Sequence, residues 1–159
     1  MRRTFLLILS ILLLALLCGC SLDFSQQADD GVFSYAYGDK AAFVNEYRWD
    51  GTEEGLTIYI PDSFNGLPVV SVGGFFGRGL PMPFSIDCSA FFPDNVQFAE
   101  ESEIESIDET TEFSFTLIIP DKISSDELKI GAAEWSQYVI EEDGRIVEYK
   151  FGIDIEKSR

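Results

Sequence analysis

Five apolar or aromatic residues near the C-terminus recur at every second position. Over residues 145–155, Val147, Tyr149, Phe151, Ile153 and Ile155 alternate with Glu148, Lys150, Gly152 and Asp154. A period of two places one set on each face of an extended strand, whereas a helix would scatter both sets around its axis. Asp143-Gly144, just before this run, is the residue pair that a type I′ turn prefers. A two-residue loop there sets Ile140 opposite Val147 and Tyr138 opposite Tyr149, so apolar residues meet on one face. Residues 111–119 repeat the pattern, with Phe113, Phe115, Leu117 and Ile119 on one side. Residues 33–37 and 42–49 are further strands, with Gly38-Asp39 as the turn between them. Ser124-Ser125-Asp126-Glu127 is spaced as a capping box, and Gly131 limits the helix it would start to a turn or two. These patterns predict a mainly β, compact single domain of antiparallel strands and hairpins, sandwich-like, with at most one or two short helices.

The N-terminus obeys a different rule. Arg2 and Arg3 precede an apolar run over residues 5–17, broken only by Ser10. A helix needs about 20 apolar residues to cross a hydrocarbon core, so this run matches a secretory signal better than a permanent span. It ends in Leu17-Cys18-Gly19-Cys20, which resembles the lipobox of bacterial lipoproteins: a branched apolar residue, a variable one, a small one and a cysteine. The resemblance implies cleavage between Gly19 and Cys20 and acylation of Cys20 by a thioether-linked diacylglycerol with chains such as palmitate. The expected organisation is a signal peptide over 1–19, a lipidated cysteine and flexible tether over 20–31, and a β domain over 32–159. The implied location is the extracytoplasmic face of the cell membrane, held by lipid.

Removing residues 1–19 takes away two arginines and no acid, so the formal charge moves from −17 to −19. Such a surface repels phosphate backbones, and no nucleic-acid partner is expected. Membrane attachment then falls to the lipid rather than to a basic face, and the tether would hold the domain away from the bilayer. The chain has no histidine, the commonest metal ligand and general base. With Cys18 lost and Cys20 acylated, Cys88 has no intrachain partner and, from the alternation around it, is a buried thiol in a strand.

Residues 56–76 are less regular. Asn65-Gly66 invites a tight hairpin, yet a two-residue loop would set Ile60 against Ser71 and Ile58 against Gly73, so a bulge or wider loop is needed. Pro61 and Pro68 mark strand ends or edges. Ile58, Ile60, Pro61, Asn65, Gly66, Pro68, Val69, Val72, Gly73 and Phe76 together resemble one unit of a BspA-like surface leucine-rich repeat. A solenoid needs three or more units, so the architecture expected remains the compact β domain. The resemblance implies cell-surface adhesion and host or matrix binding, and the partner expected of the domain is a protein, a cell-wall polymer or a glycan.

Catalytic signatures are absent from the sequence. There is no Ser-x-x-Lys, and the glycines around Gly73 lack the lysine of a phosphate-binding loop. The acidic run 100–109 lacks the spaced ligands and central glycine of a Ca²⁺ loop and is expected to be solvated. No metal or cofactor is expected. Phe75, Phe76, Leu80, Met82 and Phe84 lie in or beside a glycine- and proline-rich stretch and form the candidate binding patch, or else close one end of the core. The favoured function is a non-enzymatic interaction or adhesion module. The alternatives are a small carboxylate-dependent hydrolase of the envelope and an accessory subunit of an envelope complex.

Overall fold

A computed structural model describes residues 22–124 and 127–158. Gly19 and Cys20, with the whole signal and cleavage motif, lie outside the described residues.

Two mixed sheets carry the fold. The first contains β1 (Gln26–Asp29), β2 (Phe33–Tyr37), β3 (Ala42–Arg48), β5 (Ser63–Phe64) and β6 (Leu67–Val72), in the order β1-β2-β3-β6-β5, and β9 (Ser85–Asp87) also pairs with β3. The second runs β10 (Gln97–Ala99), β12 (Glu134–Ile140), β13 (Ile146–Lys157), β11 (Glu109–Ile119) and β4 (Thr57–Tyr59). A separate ribbon pairs β7 (Gly74–Phe76) with β8 (Leu80–Met82). Named helical elements among the described residues are three-residue 3-10 turns: Glu54–Leu56, Ser89–Phe91 and Glu101–Glu103. The chain is therefore β-rich, as the alternation indicated. Several pairings are parallel, however: β3 with β6 and β9, and β11 with β13 and β4.

The apolar faces of both sheets share one core. Val44, Tyr47, Val69 and Val72 from the first pack in the same cluster as Ile58, Phe115, Leu117, Ile119 and Phe151 from the second. Trp49, which follows β3, anchors its aromatic part. Its ring stacks on Phe91 at 5.0 Å and meets Phe115 edge-on at 5.2 Å, and its indole N–H donates to the Thr52 carbonyl at 2.7 Å. A buried indole with its one donor satisfied brings large apolar area without a polar penalty.

Three local expectations change. The C-terminal hairpin forms one residue out of the expected register: Ile140 pairs with Ile146, Val139 with Val147, and Tyr138 with Glu148. The loop holds three residues, because the Glu141 N–H bonds the Arg145 carbonyl at 2.9 Å and Gly144 closes it at φ 80°. A type I turn followed by a left-handed glycine is the three-residue alternative to the tight loop. That slip turns Trp135, Gln137 and Val139 towards the core and leaves Tyr138 and Ile140 on the opposite face.

Asn65 (φ 48°) and Gly66 (φ 79°) do form a two-residue turn, but it joins only β5 to the start of β6. The longer hairpin never arises, since Ile58 belongs to β4 and pairs beside β11 in the other sheet. The repeat-like segment thus links the two sheets. At the capping-box sequence, Ser125 and Asp126 lie outside the described residues. The Glu127 carboxylate accepts the Ser124 N–H at 2.8 Å, and by Leu128 the chain is extended enough to bridge Val72.

The third change concerns the tether. Gln26–Asp29 is β1, paired residue by residue with β2, and Phe24 sets its ring edge-on to Phe43 at 5.0 Å. The ordered body therefore begins at least eight residues before the expected boundary at residue 32.

Candidate functional site

The structure divides the apolar patch proposed from sequence. Phe75 and Leu80 are 53% and 63% exposed, Phe76 and Met82 are half-buried, and Phe84 is fully buried. Phe84 is withdrawn because the ribbon ends before it. Its N–H bonds the Lys129 carbonyl at 2.7 Å and its carbonyl accepts the Gly131 N–H at 2.9 Å, which fixes it beneath the 128–130 segment. The ribbon is an excursion from β3. β6 lies beside the first half of β3 and β9 beside the second, and the chain leaves between them at Gly73. Gly73 has φ 68°, and a Cβ there would fall 2.0 Å from the Lys129 carbonyl oxygen, so only glycine fits.

A second surface was not singled out by the sequence. On β13 the residues between the core aromatics point away from the core, and the neighbouring strands set partners beside each one. Glu148 lies between Thr110 and Tyr138, Lys150 between Glu112 and Ser136, and Gly152 between Ser114 and Glu134. Gly152 has no side chain, which helps to leave an open groove of about 870 Å³ lined by Glu101, Glu112, Glu134, Tyr138 and Lys150, among others. Trp135 borders the groove from the core side, where its ring stacks on Phe151 at 5.3 Å.

Glu148 is the one buried charged residue among those described. Its Oε2 accepts the Thr110 hydroxyl at 3.1 Å and lies 3.4 Å from Lys150 Nζ. Nearby, the Ser114 hydroxyl donates to Asp154 at 2.9 Å. The Tyr138 hydroxyl is held protonated above its ordinary range, first by desolvation and then by Glu101 and Glu148. The groove therefore offers carboxylate acceptors, one ammonium and a phenol donor along one sheet face. That set suits hydrogen bonding and charge pairing with a polar chain bearing cationic groups.

Two other expected features are placed directly. Cys88 is buried at the end of β9, and burial, followed by the charge on Asp87, pushes its thiol up to about 12. It is a core residue rather than a nucleophile at neutral pH. The acidic run ends in β11, and among the described residues no group of three or more acids or cysteines is placed to hold a metal ion. Among the described residues no helix is long and apolar enough to cross a membrane. Comparison with known proteins finds no family model, curated protein or solved structure that matches this chain.

Proposed function

We propose that this chain is an exported bacterial lipoprotein, anchored by lipid on Cys20 at the extracytoplasmic face of the membrane. Its β domain is a non-enzymatic interaction module, and the groove over Gly152 is its binding face. The observation that carries the binding reading is the placement of Glu101, Glu112 and Glu134 around Lys150 and Tyr138 on an open sheet face. Open grooves of this kind read extended partners, and three acids around one ammonium favour a partner carrying amines. A cell-wall polymer or surface protein with exposed amino groups has that chemistry. The anchoring part rests on Leu17-Cys18-Gly19-Cys20 and the short apolar run before it.

Two measurements test the two parts separately. Cys20→Ala should abolish incorporation of labelled fatty acid and release the protein from the membrane fraction; unchanged retention and labelling would refute the anchor. For the groove, the protein should co-sediment with isolated cell wall in a salt-sensitive manner. Glu112→Gln combined with Glu134→Gln should weaken that binding about tenfold. Equal binding by the double variant would remove the groove as the binding face.

A further inference from the structure

We infer that the tip of the β7–β8 ribbon is a second membrane contact, in which Phe75 and Leu80 enter the bilayer interface beside the Cys20 lipid and Arg78 meets lipid phosphate. This rests on the lipoprotein reading and specifies how the domain sits on its membrane.

The chain towards Cys20 leaves the body at the ribbon tip. The Gly77 N–H at the ribbon tip donates to the Phe24 carbonyl at 2.8 Å. The Asp23 carbonyl abuts Gly38 in the β2–β3 turn so closely that a Cβ there would lie 1.9 Å from its oxygen. The chain is thus fixed to the ribbon by residue 24, and only Ser21 separates Leu22 from Cys20. Two residues of chain reach at most about 7 Å, so the lipidated residue stays close to this end of the domain. A loose eleven-residue tether would have left the orientation free, and β1 removes that freedom.

Leu22, two residues before the Phe24 carbonyl held by the ribbon tip, is 44% exposed, and Phe75 and Leu80 on the ribbon are exposed too. In the ribbon Phe75 faces Pro81 and Phe76 faces Leu80, so opposed pairs alternate sides and apolar groups line both faces of the tip. A ribbon apolar on both faces is poorly matched to water and well matched to the headgroup–acyl boundary.

Arg48, Lys122, Arg145 and Lys150 each lie within ion-pair distance of an acid. Arg78, exposed between Gly77 and Gly79 at the tip, makes no ion pair among the described residues. Lys40 shares this end of the molecule with Asp23 and Asp39, so the end is close to neutral in a chain otherwise strongly acidic. A guanidinium between two apolar residues is suited to lipid phosphate while those residues insert.

The test uses the full lipidated protein reconstituted in phosphatidylcholine vesicles containing spin-labelled lipid. Phe75→Cys, Leu80→Cys and, as a control on the β12–β13 loop of the other sheet, Asp143→Cys each receive a small fluorophore; Cys88 is buried and Cys20 acylated. Spin-labelled lipid should quench the fluorophore at positions 75 and 80 and leave it unquenched at 143. In the same vesicles, Phe75→Ser with Leu80→Ser should speed transfer of the lipidated protein to acceptor vesicles about tenfold. Fatty-acid incorporation without quenching at 75 and 80 overturns this inference alone, whereas absence of incorporation overturns the lipoprotein reading and this inference with it.

Discussion

Arg48 reaches from β3 across β2 to grip Asp29 on β1, its two guanidinium nitrogens 2.9 and 2.5 Å from the two carboxylate oxygens. A paired, planar contact of this kind fixes direction as well as distance. It closes the free edge of the first sheet onto the strand that organises it. Arg48→Ala should therefore loosen β1 alone. Hydrogen exchange at residues 26–29 should accelerate, while the amides of β11 and β13 keep their protection. Uniform acceleration across both sheets would mean that the contact supports the whole fold instead.

Acid should act at the same place. Asp29 titrates below its ordinary value of 3.8, through the Gly31 N–H, then the Ser34 hydroxyl, with Arg48 adding to both. At Asp30 burial opposes ionisation, but N–H groups of Phe33 and Val32 and the Tyr35 hydroxyl outweigh it, so its carboxyl is also lowered. A carboxyl lowered by folding contributes stability that is complete at neutral pH and lost as pH falls through the folded value. The side-chain carbons of both residues should titrate with midpoints below 3.8, and β1 should lose protection only under those acidic conditions. Midpoints at or above 3.8 would contradict the bonding described.

Trp49 should be the costliest single truncation in the core. It is 2% exposed and touches Phe91, Phe113, Phe115 and Phe151, so it joins the residues after β3 to the face of the second sheet. Trp49→Ala removes the ring and leaves a cavity that these rings cannot fill, at a cost of about 3–5 kcal/mol. Urea unfolding followed by circular dichroism would measure it. A loss below about 1 kcal/mol would show that the cluster collapses around the gap.

How far these features can be read from sequence depends on whether they are local. Phe113, Phe115, Leu117 and Ile119 announce their face by alternation, and β11 displays that face. Phe33–Tyr37 is equally legible. Sheet order is not, because parallel partners such as β11 and β13 are brought together by tertiary packing and no turn residue specifies them. The groove over Gly152 follows from that order: Glu112, Lys150 and Ser136 come from three strands and align only once the register is known. The alternation showed Lys150 and Gly152 to be off the core, but not which residues would stand beside them. β1 was hidden for another reason. Gln26–Asp29 is almost wholly polar, and its pairing rests on backbone bonds and on Arg48 rather than on an apolar pattern.

Gly144 tests the corrected hairpin register. At φ 80° it completes a three-residue loop whose preceding residues, Glu142 and Asp143, accept any ordinary turn conformation. Gly144→Ala places a Cβ in the left-handed region and should cost about 1 kcal/mol. Asp143→Ala should cost less, since it removes only the bond from the Arg145 N–H and a long ion pair. Equal costs at both positions would favour a tight turn with both residues left-handed, and hence the other register.

Lys150 stands in the groove while also serving the fold. Its ammonium lies 3.4 Å from the buried Glu148 carboxylate, whose other partner is the Thr110 hydroxyl. A buried carboxylate deprived of its cation retains its desolvation cost, whereas removing both charges together relieves it. Lys150 is itself half exposed, so water softens the loss. Lys150→Ala should therefore destabilise the domain by about 1 kcal/mol. Glu148→Gln added to it should restore most of that, because a neutral amide still bonds Thr110. Urea midpoints of the two single variants and the double variant give the coupling directly. Strict additivity would show that the two side chains are neighbours without an energetic tie, leaving Lys150 free to serve a ligand.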